Sequence, residues 1–149
     1  MRPTLISLAL CALVLSGCGK EEDGMERQER AEARATEARA YIDDLATRVG
    51  TAPQVVQDEL GDCVPGQEDS GIDLSYAVHV TVKDGAADRL RGEVAEHFAS
   101  QGWEVKPGTR DPDGDSVSVL FAKDTFTMAA NVNESTGRAA VIGSGGCVK

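Results

Sequence analysis

The chain has 149 residues, with 15 basic and 25 acidic side chains and a formal net charge of -10. That length allows one modest hydrophobic core, so a single domain with attachments is expected. The acidity argues against nucleic acid and anionic lipid headgroups as partners, because phosphate recognition depends on clustered Lys and Arg.

The chain opens with a secretory layout: Arg2, an apolar run over residues 5–15, then the small residues Ser16 and Gly17. The apolar run is too short to span a bilayer as a stable helix. Its end, Leu15-Ser16-Gly17-Cys18, resembles the bacterial lipobox. The resemblance implies a diacylglycerol on the Cys18 thiol and cleavage between Gly17 and Cys18, leaving Cys18 as the first residue of a palmitate-labelled lipoprotein. Each buried acyl methylene contributes about 0.8 kcal/mol, and two chains hold a protein on a membrane where one does not. Gly19 follows the cysteine, so an Asp-type inner-membrane retention signal is missing. The bias toward Ala, Gly, Val, Asp and Arg is similar to that of small actinobacterial cell-envelope lipoproteins. That likeness implies a cell-membrane location on the extracytoplasmic face.

Residues 1–17 are thus read as signal peptide and residues 18–24 as a flexible polar tether. Residues 25–50 form an expected Ala/Glu/Arg-rich helix, in which Ala38, Ile42, Leu45 and Val49 make a narrow apolar stripe. Glu26 with Arg30 and Asp44 with Arg48 have the spacing of helical ion pairs. The helix is either an arm for a partner or a spacer whose second half docks on its own domain.

Residues 51–149 are read as an α+β domain. Thr51-Ala52-Pro53-Gln54 has the form of a capping box, predicting a short helix that carries Val55, Val56 and Leu60 and stops at Gly61. Strict alternation predicts a strand over 72–83, with Leu74, Tyr76, Val78 and Val80 on its core side. Asp84 is placed to cap a helix running to about Ser100, with Ala87, Leu90, Val94 and Phe98 as its stripe. Strands are predicted over 103–106, 116–123, 125–133 and 138–142, separated by turn-rich stretches that favour an antiparallel meander. The expected fold is an N-terminal helix plus one antiparallel sheet of four to five strands, in β-α-β-β-β order, with helices packed on one face.

With Cys11 in the leader and Cys18 lipidated, Cys63 and Cys147 remain, and in an oxidising compartment they suggest one disulfide. Neither has the C-x-x-C spacing of a redox or zinc site. Catalytic signatures are missing: His79 and His97 have no motif around them, and no G-x-S-x-G turn occurs. Residues 111–115 have closely spaced Asp, but the twelfth position counted from Asp111 is Ala122, where a calcium loop needs Glu. Gly143-Ser144-Gly145-Gly146 lacks the Lys and the adjoining helix of a phosphate cradle.

No catalytic residue, metal or cofactor is therefore assigned. Trp103, Tyr76 and Phe121 are expected in the core. The expected function is a non-catalytic binding or interaction module, anchored to the membrane through its N-terminal lipid, with an envelope protein, lipid or glycan as partner. A carrier of a small lipid or glycan and a small extracytoplasmic hydrolase using His79 or His97 are the alternatives.

Overall fold

A computed structural model describes residues 19–108 and 116–149, with side chains from residue 23 onward. The leader, the lipobox with Gly17 and Cys18, and the Asp-rich stretch 111–115 lie outside the described residues.

Helix α1 is Gly19–Val49, so residues 19–24, expected as a tether, form its first turns. Ala, Arg and Glu have high helix propensity and dominate residues 26–40, which lets the helix run on past its exposed N-terminal third. Its buried stripe begins at Ala31 and continues through Ala35, Ala38, Ile42, Leu45, Ala46 and Val49. Asp44 and Arg48 pair at 3.0 Å as their spacing predicts. Arg30 instead donates to the Lys149 main-chain oxygen at 3.1 Å, joining the helix to the C-terminus.

The largest departure from the sequence reading lies just beyond α1. Thr51–Asp62, expected as a short helix, is strand β1. A helix carrying only Val55, Val56 and Leu60 has little apolar surface to bury, whereas the strand Ile72–Thr81, β2, offers it a backbone ladder over most of its length. Pro53 is tolerated because it sits in a register irregularity of an edge strand, where Ala52 takes a positive φ of 51°. The helical run 86–100, α2, comprises Ala86–Arg89, a π turn Leu90–Val94, and Ala95–Ser100. Asp84 does not cap it: Gly85 holds the N-cap position, and the Glu134 carboxylate accepts from the Ala87 amide at 2.8 Å. The remaining strands are β3 (Glu104–Pro107), β4 (Ser116–Lys123), β5 (Phe126–Asn133) and β6 (Arg138–Ser144).

The strands form one sheet of six, in the order β1-β2-β6-β5-β4-β3, with every pairing antiparallel. The expected four to five strands rise to six because β1 joins the edge. The element order is therefore α-β-β-α-β-β-β-β. The chain crosses from β2 to the far edge through α2, then returns by three hairpin steps until β6 meets β2.

Both helices pack on the same face of the sheet. Ile42, Leu45 and Val49 of α1 and Leu90, Val94 and Phe98 of α2 meet the inward residues Leu74, Val78, Val80, Val119, Phe121, Val132 and Val141 in one core. Tyr76, Trp103 and Phe121 are buried there, as expected. Tyr41 lies edge-on to Trp103 and Phe126, and Phe98 edge-on to Trp103 and Phe121, so five aromatic rings form one chain of contacts across the interior.

Cys63 and Cys147 form a disulfide with a Cα separation of 5.6 Å. It fastens the C-terminus beside the β1–β2 connection, where Ile72 and Val148 also exchange backbone hydrogen bonds. Gly71, at φ 107°, lies against both sulfurs, and a Cβ there would come within 2.6 Å of the Cys147 Sγ.

Candidate functional site

Both helices cover one face, so among the described residues the other face of the sheet is left open, and strand alternation decides what it displays. One row can be traced through the cross-strand register from edge to edge: Gln57, Ala77, Ile142, Ala129, Leu120 and Lys106. A second row reads Gln54, His79, Ala140, Asn131 and Ser118. Toward the other end of the sheet lie Ser75, Ser144, Thr127 and Ala122.

Two properties set this face apart. The first is charge. On the four central strands, none of the residues in these three rows is Asp, Glu, Lys or Arg, although such residues make up 27% of the chain. Solvated faces of antiparallel sheets ordinarily carry charge to keep the molecule soluble and to discourage association. Here Glu59, Glu104 and Lys106 stand on the two edge strands, Asp73 and Arg138 stand at the two ends of the central ones, and Glu104 and Lys106 pair with each other at 2.7 Å. The second property is relief. Ile142 and Leu120 are 51% and 45% exposed, while Ala77, at 8%, and Ala129 sit low beside them. Together with Gln57, Ser75, Thr127 and Ser144 they line a shallow depression of about 400 Å³.

The end of the depression is held by Asp73. Its carboxylate accepts from the Ser144 hydroxyl at 2.7 Å and from the Leu74 amide at 2.7 Å, while the Gly146 amide donates to the Ser144 oxygen. The hydroxyl of Ser144 is thus engaged by a carboxylate with no imidazole in the arrangement. The glycine-rich segment at residues 143–146 serves packing: a Cβ at Gly143 would come within 2.7 Å of Ile42, and one at Gly145 within 2.8 Å of Arg34. These glycines let α1 lie close on β6.

The two histidines are on opposite sides of the sheet. His79 is on the open face, beside a small recess shared with Gln54 and Arg138. His97 is on α2, 3.8 Å from Asp44 of α1 and 2.9 Å from the Gln101 amide nitrogen. No single site uses both. Among the described residues no group of three His, Cys, Asp or Glu is placed to hold a metal ion.

The phenol of Tyr76 points the other way, into the helix layer, and donates to Asp43 at 3.0 Å. Burial first, then this hydrogen bond and the charges of Asp43 and Asp58, push its pKa up to about 12 against the opposing effect of Arg39. Arg39 itself pairs with Asp58 at 2.7 Å, so one polar cluster joins α1 to β1 and β2. The sequence marks Tyr76 as core but gives no sign of its hydrogen-bond partner, which is 33 residues away. The open face is similarly hidden in the sequence: its alternation is readable strand by strand, but its lack of charge emerges only when four strands are set side by side.

No protein-family model, no curated protein and no solved structure matches the chain.

Proposed function

We propose that the protein is a lipid-anchored module of the cell envelope that binds another protein through the open face of its sheet and carries out no chemistry of its own. The observation behind the binding part is the uncharged, uneven face left uncovered on an acidic chain. A protein surface suits it better than a small molecule, because the depression is broad and open where small-ligand sites are enclosed. The anchoring part rests on Leu15-Ser16-Gly17-Cys18 and on the disulfide, which suits an oxidising compartment. Among the described residues no helix is long and apolar enough to cross a membrane, so the reading assigns membrane attachment to the lipid.

On this reading α1 also sets the distance from the membrane. Its buried stripe begins at Ala31, and residues 19–30 at 1.5 Å per residue hold the domain about 18 Å from the lipidated cysteine.

The test is Cys18→Ala in the native cell, read by palmitate labelling and membrane fractionation. The expected result is loss of the label and release of the protein from the membrane. An equally membrane-bound and equally labelled variant would overturn the anchoring.

A further inference from the structure

We propose that the partner of the open face is a second copy of this chain, packed face to face about a two-fold axis that runs along the strands between β5 and β6. The inference rests on the proposed binding through this face and deepens it.

The first support is shape. From edge to edge the central row alternates in size: Gln57, Ala77, Ile142, Ala129, Leu120, Lys106. A two-fold axis through the middle of a six-stranded sheet exchanges β6 with β5, β2 with β4 and β1 with β3. It therefore sets Ile142 of one copy over Ala129 of the other, and Leu120 over Ala77. Each protruding aliphatic side chain meets an alanine, and at the rim Gln57 meets Lys106. Displacing the axis onto β5 by half a strand spacing, about 2.4 Å, leaves one outer strand without a counterpart and sets Ile142 over Leu120, and displacing it by a full spacing leaves two outer strands uncovered.

Charge is the second support. Two strongly acidic molecules repel, so a contact between copies has to use a surface free of unpaired carboxylates. The three rows of the four central strands provide one, and at the rim the same axis sets Glu59 of one copy over Glu104 of the other, where Lys106 pairs with Glu104 at 2.7 Å. Asp73, at one end of the sheet, is engaged by the Ser144 hydroxyl, and Arg138 stands at the other end beside Asn133 and Thr81. Between them, apart from Ile142, Leu120 and His79, the four central strands present Ser, Thr, Asn and Ala, which are small and carry no charge.

Area is the third. Six strands about 4.8 Å apart, with three rows of outward side chains about 6.7 Å apart, present a face on the order of 600 Å². Two such faces bury about 1,200 Å², the lower bound for a stable specific interface. Pairing is accordingly modest in dilute solution and favoured when both copies are confined to one membrane.

Orientation is the fourth. Rotation about an axis parallel to the strands preserves direction along them. Helix α1 runs along β6 from Arg34 beside Gly145 to Ile42 beside Gly143, and ends with Gly50 beside Thr81. Its N-terminal end in both copies thus points the same way. Two chains paired like this can be anchored in the same membrane, whereas an axis across the strands would point the anchors in opposite directions.

The experiment uses the full chain in its own membranes and after extraction into detergent. Leu120→benzoylphenylalanine, illuminated in intact cells, is expected to link to the segment around Ala77 of a second copy. In sedimentation of the extracted protein, Ala129→Ile is expected to weaken the dimer about a hundredfold or more, because the overpacked contact occurs twice across the axis. Adding Ile142→Ala exchanges protrusion and notch and is expected to restore the dimer. Both substitutions lie on the open face, so the monomer's circular dichroism and melting serve as the folding control. A dimer unchanged by Ala129→Ile overturns the proposal, as do illuminated adducts only to other proteins or to none. The same series on Cys18→Ala separates this from the anchoring: a variant that stays on the membrane refutes the anchor, while the swap result still decides the pairing.

Discussion

Gly143 shows how a single missing methyl group supports the architecture. It lies on the helix side of β6, opposite Tyr76 and Met128, and an added Cβ would meet both Ile42 Cδ1 and the Thr127 carbonyl oxygen at 2.7 Å. The side chain can shift but the backbone oxygen cannot, so Gly143→Ala should destabilise the fold by about 1–3 kcal/mol. A lowered urea midpoint with an unchanged slope would show it. Ile42→Val would remove Cδ1 but leave Cγ1, at 2.8 Å, and the Thr127 oxygen in the way, and should not restore the midpoint. Tyr76 offers a test by pH. Its pKa is raised in the folded state to about 12, above the ordinary value of 10.0. A raised folded pKa stabilises the protein fully below the unfolded value and is lost as pH rises through the folded value. Stability should therefore decline between about pH 10 and pH 12, and Tyr76→Phe should remove that part of the decline while costing about 1 kcal/mol at neutral pH for its lost hydrogen bond. Denaturant titrations of both proteins across this range, with tyrosinate absorbance monitored in parallel, would check it. Neither effect is visible in the order of residues, because Ile42, Asp43 and Thr127 come to these positions only through the packing of α1 on the sheet.

At the level of elements, the helices and most strands follow from local pattern, and β1 does not. Alternation over 72–83 and the turn-bounded apolar runs after residue 115 yield β2, β4, β5 and β6 almost as predicted, because each buries one face and so has period two. Thr51–Asp62 buries almost nothing: its side chains are exposed along nearly the whole strand, including Val55 at 55% and Val56 at 53%. With no buried face there is no period to read, and the capping-box pattern of Thr51 to Gln54 prevails in a local reading although backbone pairing with β2 decides the outcome. The disulfide belongs to this scale as well. It closes a loop of sequence separation 84 and holds the C-terminus beside the start of β2, where Ile72 and Val148 pair. Replacing both Cys63 and Cys147 with Ser should cost about 2–4 kcal/mol. Faster hydrogen exchange at the Ile72 and Val148 amides, with the β4–β5 hairpin unchanged, is the expected signature; uniform protection would show that the bond adds nothing local.

For the whole molecule, the sequence by itself determined the α+β class, the single antiparallel sheet, the helix at the N-terminus and the cysteine pair. These are properties of local periodicity, of helix propensity and of the two cysteines within residues 51–149. What only the tertiary structure decided is the order β1-β2-β6-β5-β4-β3, the gathering of both helices on one face and the exposure of the other. Register is set jointly by turns, bulges and the buried face, and no one strand contains that information. The row from Gln57 to Lys106 draws on six strands and spans positions 57 to 142 of the chain. Each strand contributes one outward residue, unremarkable alone. Set side by side at strand spacing, they make the alternating surface, uncharged along this row on its four central strands, on which the proposed pairing depends, because a sheet assembles its faces from residues that are distant in sequence.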